Sequence, residues 1–275
     1  MKKLLFISIY TICLVACGGR NSKLQQHSIE KCDIDVTFRF DKPINGYDIV
    51  MHWQPFEYKG CETGTLVADF YNKDGLQFQY VNDEKFSSSF IYDIVFNEAF
   101  EGFKNGDEFI VASNFEKSSP YPDSPLDYYL PFQFYDVDFD GEKELLVNDW
   151  GLTQCGNCYT AYEITDKGLV EKIEAPLNNI DNMMTFDPLT NNIIARGHGG
   201  AWYGYELTYT KKNKTSVQKI TIPNSFDKHL KDCLEEFASD IPTEFYITSA
   251  NIKLGDQHYD LIVKGNKWQI NNKIL

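Results

Sequence analysis

The chain has 275 residues, 26 Lys and Arg against 40 Asp and Glu, a formal net charge of -14 and 15% aromatic residues. Without clustered Lys and Arg so acidic a body excludes non-specific nucleic-acid binding, which depends on neutralising phosphates, and it suits a basic partner instead. The length is enough for one large or two small hydrophobic cores.

Met1-Lys2-Lys3, an uncharged apolar run from Leu4 to Leu14, and then Val15-Ala16-Cys17-Gly18-Gly19 follow the layout of a secretory signal peptide over residues 1–16. The apolar run is too short to span a bilayer. Leu14-Val15-Ala16-Cys17 resembles the lipobox of bacterial lipoproteins, and that resemblance implies cleavage before Cys17, diacylation of its thiol and N-acylation of the new terminus, palmitate being the usual chain. No later segment is apolar enough for a transmembrane helix, so the acyl chains are the expected anchor. At ~0.8 kcal/mol per buried CH₂ such an anchor is firm. Residues 17–30 are polar and lack apolar periodicity, as a tether does. Gly18-Gly19-Arg20-Asn21 lacks the acidic run that marks surface export in some bacterial lipoproteins, so an outer-membrane lipoprotein facing the periplasm is expected.

Beyond Cys17 stand Cys32, Cys61, Cys155, Cys158 and Cys233, in a compartment that permits disulfides. Cys155 with Cys158 forms a candidate short bridge, and Cys32 with Cys61 a candidate tie between the first strands, which leaves Cys233 over. The C-x-x-C pair lies between β-type runs and not at the head of a helix, which argues against redox chemistry. No second C-x-x-C or His pair accompanies it, which argues against zinc.

From residue 31 the pattern becomes that of strands. Ile34 to Phe40 alternates with period two, and similar runs follow at Tyr47–Trp53, Thr65–Tyr71, Leu76–Val81, Phe90–Phe96 and Glu108–Ala112, separated by Asn, Asp, Gly and Pro clusters. Three prolines between Pro120 and Pro125 mark a joint, so residues 31–117 read as one β region and 118–222 as another. The second region holds strand patterns at Tyr128–Tyr135, Leu145–Asn148, Tyr159–Thr165, Leu169–Ile173, Asn192–Ala195, Tyr205–Thr210 and Val217–Ile222. Residues 223–275 open with the helix expected over Ser225–Ala238, whose Phe226, Leu230, Cys233, Leu234 and Phe237 share a face and which Ser225 or Asn224 is placed to cap. Strands return at Phe245–Thr248, His258–Val263 and Lys267–Ile270. The fold class is mainly β, with antiparallel sheets in a sandwich or partly propeller-like arrangement and one C-terminal helix.

The second region contains Asp136-Val137-Asp138-Phe139-Asp140-Gly141-Glu142-Lys143-Glu144. Carboxylates at positions 1, 3, 5 and 9, with a glycine at position 6 for the sharp bend, match what a calcium ion needs from a loop: hard oxygens aimed at one point. An EF-hand would add Glu at position 12 and continue as a helix, whereas this chain has Val147 and a strand. The segment resembles the strand-loop-strand calcium loop of integrin-type propeller repeats. That resemblance implies side-chain ligands from Asp136, Asp138, Asp140 and Glu144 and a backbone carbonyl from Glu142. The ion's expected role is structural, because all the protein ligands are committed and no His or Ser nucleophile stands nearby.

Residues 127–222 also resemble a family of bacterial periplasmic lipoproteins related to immunity proteins that inhibit a lysozyme-like effector of a type IV secretion system. The resembling pieces are the calcium loop, Gly156-Asn157-Cys158-Tyr159, and Gly197-His198-Gly199-Gly200 leading to Tyr203 and Tyr205. Membership implies a β-rich, propeller-like fold with one calcium site and a lysozyme-like partner. The Gly197 loop lacks the Lys-Ser/Thr of a phosphate loop, and Trp202, Tyr203 and Tyr205 are candidate contacts for a protein or sugar, against aromatics tucked onto a sheet. Neither H-E-x-x-H nor G-x-S-x-G occurs, so no enzyme is expected. The expected function is a lipid-anchored, calcium-stabilised cell-envelope binding protein, an inhibitor or immunity protein against a cell-wall hydrolase, with a carbohydrate-binding surface lipoprotein as the alternative.

Overall fold

A computed structural model describes residues 34–56, 63–87, 89–95, 102–113, 130–148, 158–178, 180–181, 183–198, 202–237 and 242–271. The signal peptide, the tether with Cys17, and Cys32, Cys61 and Cys155 lie outside these residues. The described residues all fall in one compact unit, residues 31–275. No helix among the described residues is long and apolar enough to cross a membrane.

The first sheet consists of β1 (Val36–Phe40), β2 (Asp48–Pro55), β3 (Gly64–Asn72), β4 (Gly75–Phe86) and β5 (Glu108–Val111), in the order β4-β3-β2-β1-β5. Its neighbours are antiparallel except β1 and β5, which run parallel. Alternation in the sequence becomes alternation in burial: Val36, Phe38, Met51, Trp53, Leu66, Ala68 and Phe70 turn one way into an aromatic-rich core.

Between β4 and β5, Ser89–Val95 forms helix α1, where a strand was expected over Phe90–Phe96. Phe90 and Ile91 are buried and Ile94 and Val95 pack on the same core, a spacing that a helix brings to one face and a strand would split between two. A short apolar run carries both readings until its neighbours are known.

The second sheet holds β6 (Phe132–Tyr135), β7 (Glu144–Asn148), β8 (Cys158–Thr165), β9 (Gly168–Glu171) and β10 (Ile180–Asp181), in the order β10-β8-β7-β6 with β9 also on β8. Every residue of β7 is buried. Leu145 and Val147 enter the core of the first sheet, while Leu146, between them, enters a second core with Ile193, Ala195 and Phe245. The second sheet is therefore a middle layer, covered on both faces.

The third sheet is a meander of β11 (Thr185–Asp187), β12 (Asn192–His198), β13 (Tyr203–Ser216), β14 (Thr243–Leu254), β15 (Gln257–Lys264) and β16 (Lys267–Ile270). Helix α2 (Lys228–Glu236) buries Leu230, Cys233 and Leu234 against Leu207, Ile247, Ile252, Leu261 and Trp268 in a third core. Its cap is Asp227, whose Oδ1 accepts the Leu230 N–H at 2.9 Å, and not Ser225 or Asn224; the helix is shorter at both ends than Ser225–Ala238.

The mainly β, sandwich-like class with a C-terminal helix is what the sequence predicts, with α1 as an additional helix. Val217–Ile222 forms no strand beyond a single bridge from Thr221 to Lys267. Instead the Gln218 side chain accepts the Ile247 N–H at 2.8 Å and donates to the Ile247 carbonyl at 2.9 Å, so an amide side chain takes the place of a strand's backbone. The pairing of β13 with β14 joins residues on either side of the division expected at 222/223.

Candidate metal site

The loop from Asp136 to Lys143 joins β6 to β7, and Tyr135 pairs with Glu144 where it closes. Its apolar residues pin it from below: Val137 is fully buried in the second core, and the Phe139 ring lies 6.3 Å from that of Phe245. Phe139 has φ 60° and Gly141 φ 97°, so the backbone turns sharply here, at a position where glycine adopts the left-handed conformation freely.

Asp136 accepts the N–H groups of Asp140 and Gly141, each at 3.1 Å, and Asp140 Oδ1 accepts that of Glu142 at 2.8 Å. Glu144 reaches under the loop, where its Oε2 accepts the Val137 N–H at 2.9 Å. One carboxylate oxygen each from Asp136, Asp138 and Glu144 lies within 4.8 Å of the others. These three of the expected ligand residues are brought together. Asp140 is an exposed residue that braces the turn, and Glu142 is exposed, its expected contribution being a backbone carbonyl. A donor set of carboxylate oxygens alone suits a hard divalent cation, calcium among them, better than the N- and S-preferring zinc or copper.

Glu144 is only 2% exposed. Burial pushes its pKa up to about 7, with repulsion from Asp138 adding to the rise and the Val137 N–H and Lys172 opposing it. A divalent cation among these oxygens would favour the charged carboxylate and counter that rise.

Two lysines complete the surroundings. Lys172 Nζ lies 2.8 Å from Asp138 Oδ2, 3.3 Å from Glu163 Oε2 and 3.9 Å from Glu144 Oε1. Lys211 Nζ donates to the Asp138 carbonyl and lies 3.5 Å from Asp138 Oδ1 and 3.8 Å from Glu244 Oε2. Burial disfavours the Lys172 ammonium, but Asp138, Glu144 and Glu163 outweigh it and raise its pKa. Asp138, Glu163, Lys172, Lys211 and Glu244 line a cleft of about 530 Å³ beside the loop. Sequence reasoning missed both lysines, because nothing in local spacing joins them to Asp138.

The candidate contact residues are placed differently from one another. Trp202 is 73% exposed and lies over the turn at Gly255. Tyr203 accepts a hydrogen bond from the Cys233 thiol at 3.3 Å, and the Tyr205 ring packs tilted against that of Phe237, centroids 4.9 Å apart, so both are held at the third core. Tyr205 covers Gly197, where a Cβ would come within 2.5 Å of its ring. Cys158 begins β8, while Cys155, its candidate bridge partner, lies outside the described residues. Comparison of the chain with protein-family models, with curated proteins and with solved structures finds no match in any of the three, so the resemblance over residues 127–222 stands on its motifs alone.

Proposed function

We propose that the chain is a lipid-anchored binding protein of the cell envelope, held to the outer membrane through Cys17 and facing the periplasm, whose β layers are fastened at the β6–β7 loop by calcium. The observation that carries the calcium reading is the convergence of Asp136, Asp138 and Glu144 on one point, at a loop fixed from below by a fully buried Val137. An ion there ties the loop between β6 and β7, and so the middle layer, into a rigid scaffold. The net charge of -14 offers electrostatic complementarity to a basic, lysozyme-like hydrolase, and inhibition of such an enzyme is the binding function we assign.

The test is thermal unfolding of residues 31–275 with calcium and with chelator, repeated for Asp138→Ala. Calcium a hundredfold above its dissociation constant should stabilise the native state by ~2.7 kcal/mol, and the variant should lose this response. An unchanged midpoint in the parent would remove the metal reading. A cell-wall lysis assay with a basic lysozyme then tests inhibition, and undiminished lysis would remove the inhibitor reading while leaving the calcium site standing. Trp202, 73% exposed, favours the second reading of a carbohydrate contact, which a glycan array comparing the parent with Trp202→Ala would decide.

A further inference from the structure

In the third sheet, strand register brings a set of lysines to one end. Strand β13 finishes there with Lys211-Lys212-Asn213-Lys214, opposite the start of β14, and Lys219 follows. The β15–β16 turn, Lys264-Gly265-Asn266-Lys267, reaches the same end and is tied in by the Thr221 N–H on the Asn266 carbonyl at 2.8 Å. The β11–β12 turn arrives there too, held by the Lys211 N–H on the Asn191 carbonyl at 2.9 Å. At its tip stands Leu189, 95% exposed.

Alternation along β13 divides the charges. Lys211 faces the acidic cleft and is bound to Asp138 and Glu244. Lys212, its neighbour, faces the other way and lies 4.9 Å over the Tyr246 ring. Lys212, Lys214 and Lys219 surround a groove of about 360 Å³ whose other walls include Asn213, Tyr246 and Asn266, and no described residue lining it is acidic. Lys212, Lys214, Lys219, Lys264 and Lys267 are all exposed and form no ion pair among the described residues. Two carboxylates at this end are already engaged: Asp187 accepts from Leu189 N–H and Thr190 Oγ1, and Glu244 lies by Thr215 and Lys211. The expectation of no clustered Lys and Arg therefore fails locally: Lys211-Lys212-Asn213-Lys214 is basic in the sequence itself, and strand register adds Lys264 and Lys267 to it.

We propose that this end of the third sheet is a membrane-docking face that takes the phosphate headgroups of an anionic phospholipid surface between its lysines, with Leu189 entering the interface. Exposed lysines beside an exposed aliphatic tip are the pairing that a charged, partly apolar interface binds. The acidic remainder of the body does not prevent docking, because beyond a Debye length of about 8 Å its repulsion is screened while the lysines are in contact. The choice of a membrane over a soluble polyanion rests on the proposed anchor at Cys17, which keeps the body within tether reach of a bilayer.

The test is co-sedimentation of residues 31–275 with vesicles of phosphatidylglycerol in phosphatidylcholine and with vesicles of phosphatidylcholine alone. The face predicts salt-sensitive binding to the first and none to the second. Each lysine contributes about fivefold at an anionic surface, so the triple variant Lys212→Gln, Lys214→Gln, Lys219→Gln should lose on the order of a hundredfold. Leu189→Ser should weaken binding while leaving its salt dependence intact. A control variant with Lys73→Gln and Lys167→Gln, both outside this end, should bind as the parent does. Absent binding to either vesicle, equal loss in the control, or capture of inorganic phosphate without vesicle binding would each overturn the proposal. The mass of the mature N-terminus tests the anchor separately, so docking and anchor can fail independently.

Discussion

Replacing Lys172 with methionine tests whether a metal and an ammonium compete for the same carboxylates. The substitution removes a charge 2.8 Å from Asp138, 3.3 Å from Glu163 and 3.9 Å from Glu144, while keeping an unbranched stem to fill the space. Deleting one partner of a buried ion pair costs about 3–5 kcal/mol, because the other charge remains buried and uncompensated. Lys172 is 19% exposed, and Lys211 still holds Asp138 from its other side at 3.5 Å. The expected loss without calcium is therefore about 2–3 kcal/mol, a fall in midpoint on the order of 5–10 °C for a body of this size. With saturating calcium the ion supplies the missing positive charge, and the loss should shrink below about 1 kcal/mol. Calcium affinity should rise as well, since the metal no longer has to displace an ammonium. Urea unfolding followed by circular dichroism, with and without chelator, measures the first quantity, and titration calorimetry the second. A loss of the same size in both conditions, or weaker calcium binding by the variant, would refute the competition and leave Lys172 a plain structural ion pair.

Asp181 offers a pH-dependent test away from the loop. Burial raises its pKa to about 6, against the N–H groups of Met183 and Met184 and the Arg196 charge, which lower it. A carboxyl whose folded pKa lies above its unfolded value destabilises the fold as pH rises through that interval, and the full penalty remains above it. Asp181→Asn keeps an acceptor for the Met183 N–H, which lies 2.8 Å from Oδ1. It should be more stable than the parent by up to about 3 kcal/mol near pH 8, with the difference vanishing below about pH 3, under both pKa values; a gap that does not change with pH would count against the assignment. Leu146→Ala empties the point where the middle sheet meets the third, at a residue with no exposure, and should cost about 2–5 kcal/mol in denaturant unfolding. A cost below about 1 kcal/mol would mean that the two layers do not share a packed core.

Much of the architecture is local and therefore legible in the residues themselves. The period-two pattern of Ile34 to Phe40 becomes β1 because alternate side chains on a strand must face core and solvent in turn. The Asp136-Val137-Asp138-Phe139 alternation brings Asp136 and Asp138 to one side because Val137 and Phe139, at the intervening positions, turn the other way into a core. Phe90–Phe96 had no such signature: its apolar residues suit a strand or a helix, and the shape of the neighbouring aromatic core selects the helix. In Val217–Ile222 the residue types favour a strand, yet a single amide, Gln218, already satisfies Ile247, and no ladder forms.

Trp202 and Tyr203 are neighbours in the chain with opposite fates, since Tyr203 reaches Cys233 on α2 while Trp202 rests over an outer turn. The surroundings of the candidate ion lay furthest from view. Lys172 and Lys211 meet Asp138 from 34 and 73 residues away. The sequence by itself determined most of the strands, the helix stripe and the spacing of the acidic loop, because these depend on neighbours a few residues apart. Only the tertiary structure decided which lysines neutralise Asp138 and which stand exposed at the sheet's end, because strand pairing and the pleat place charges by register, and register joins residues that the chain keeps far apart.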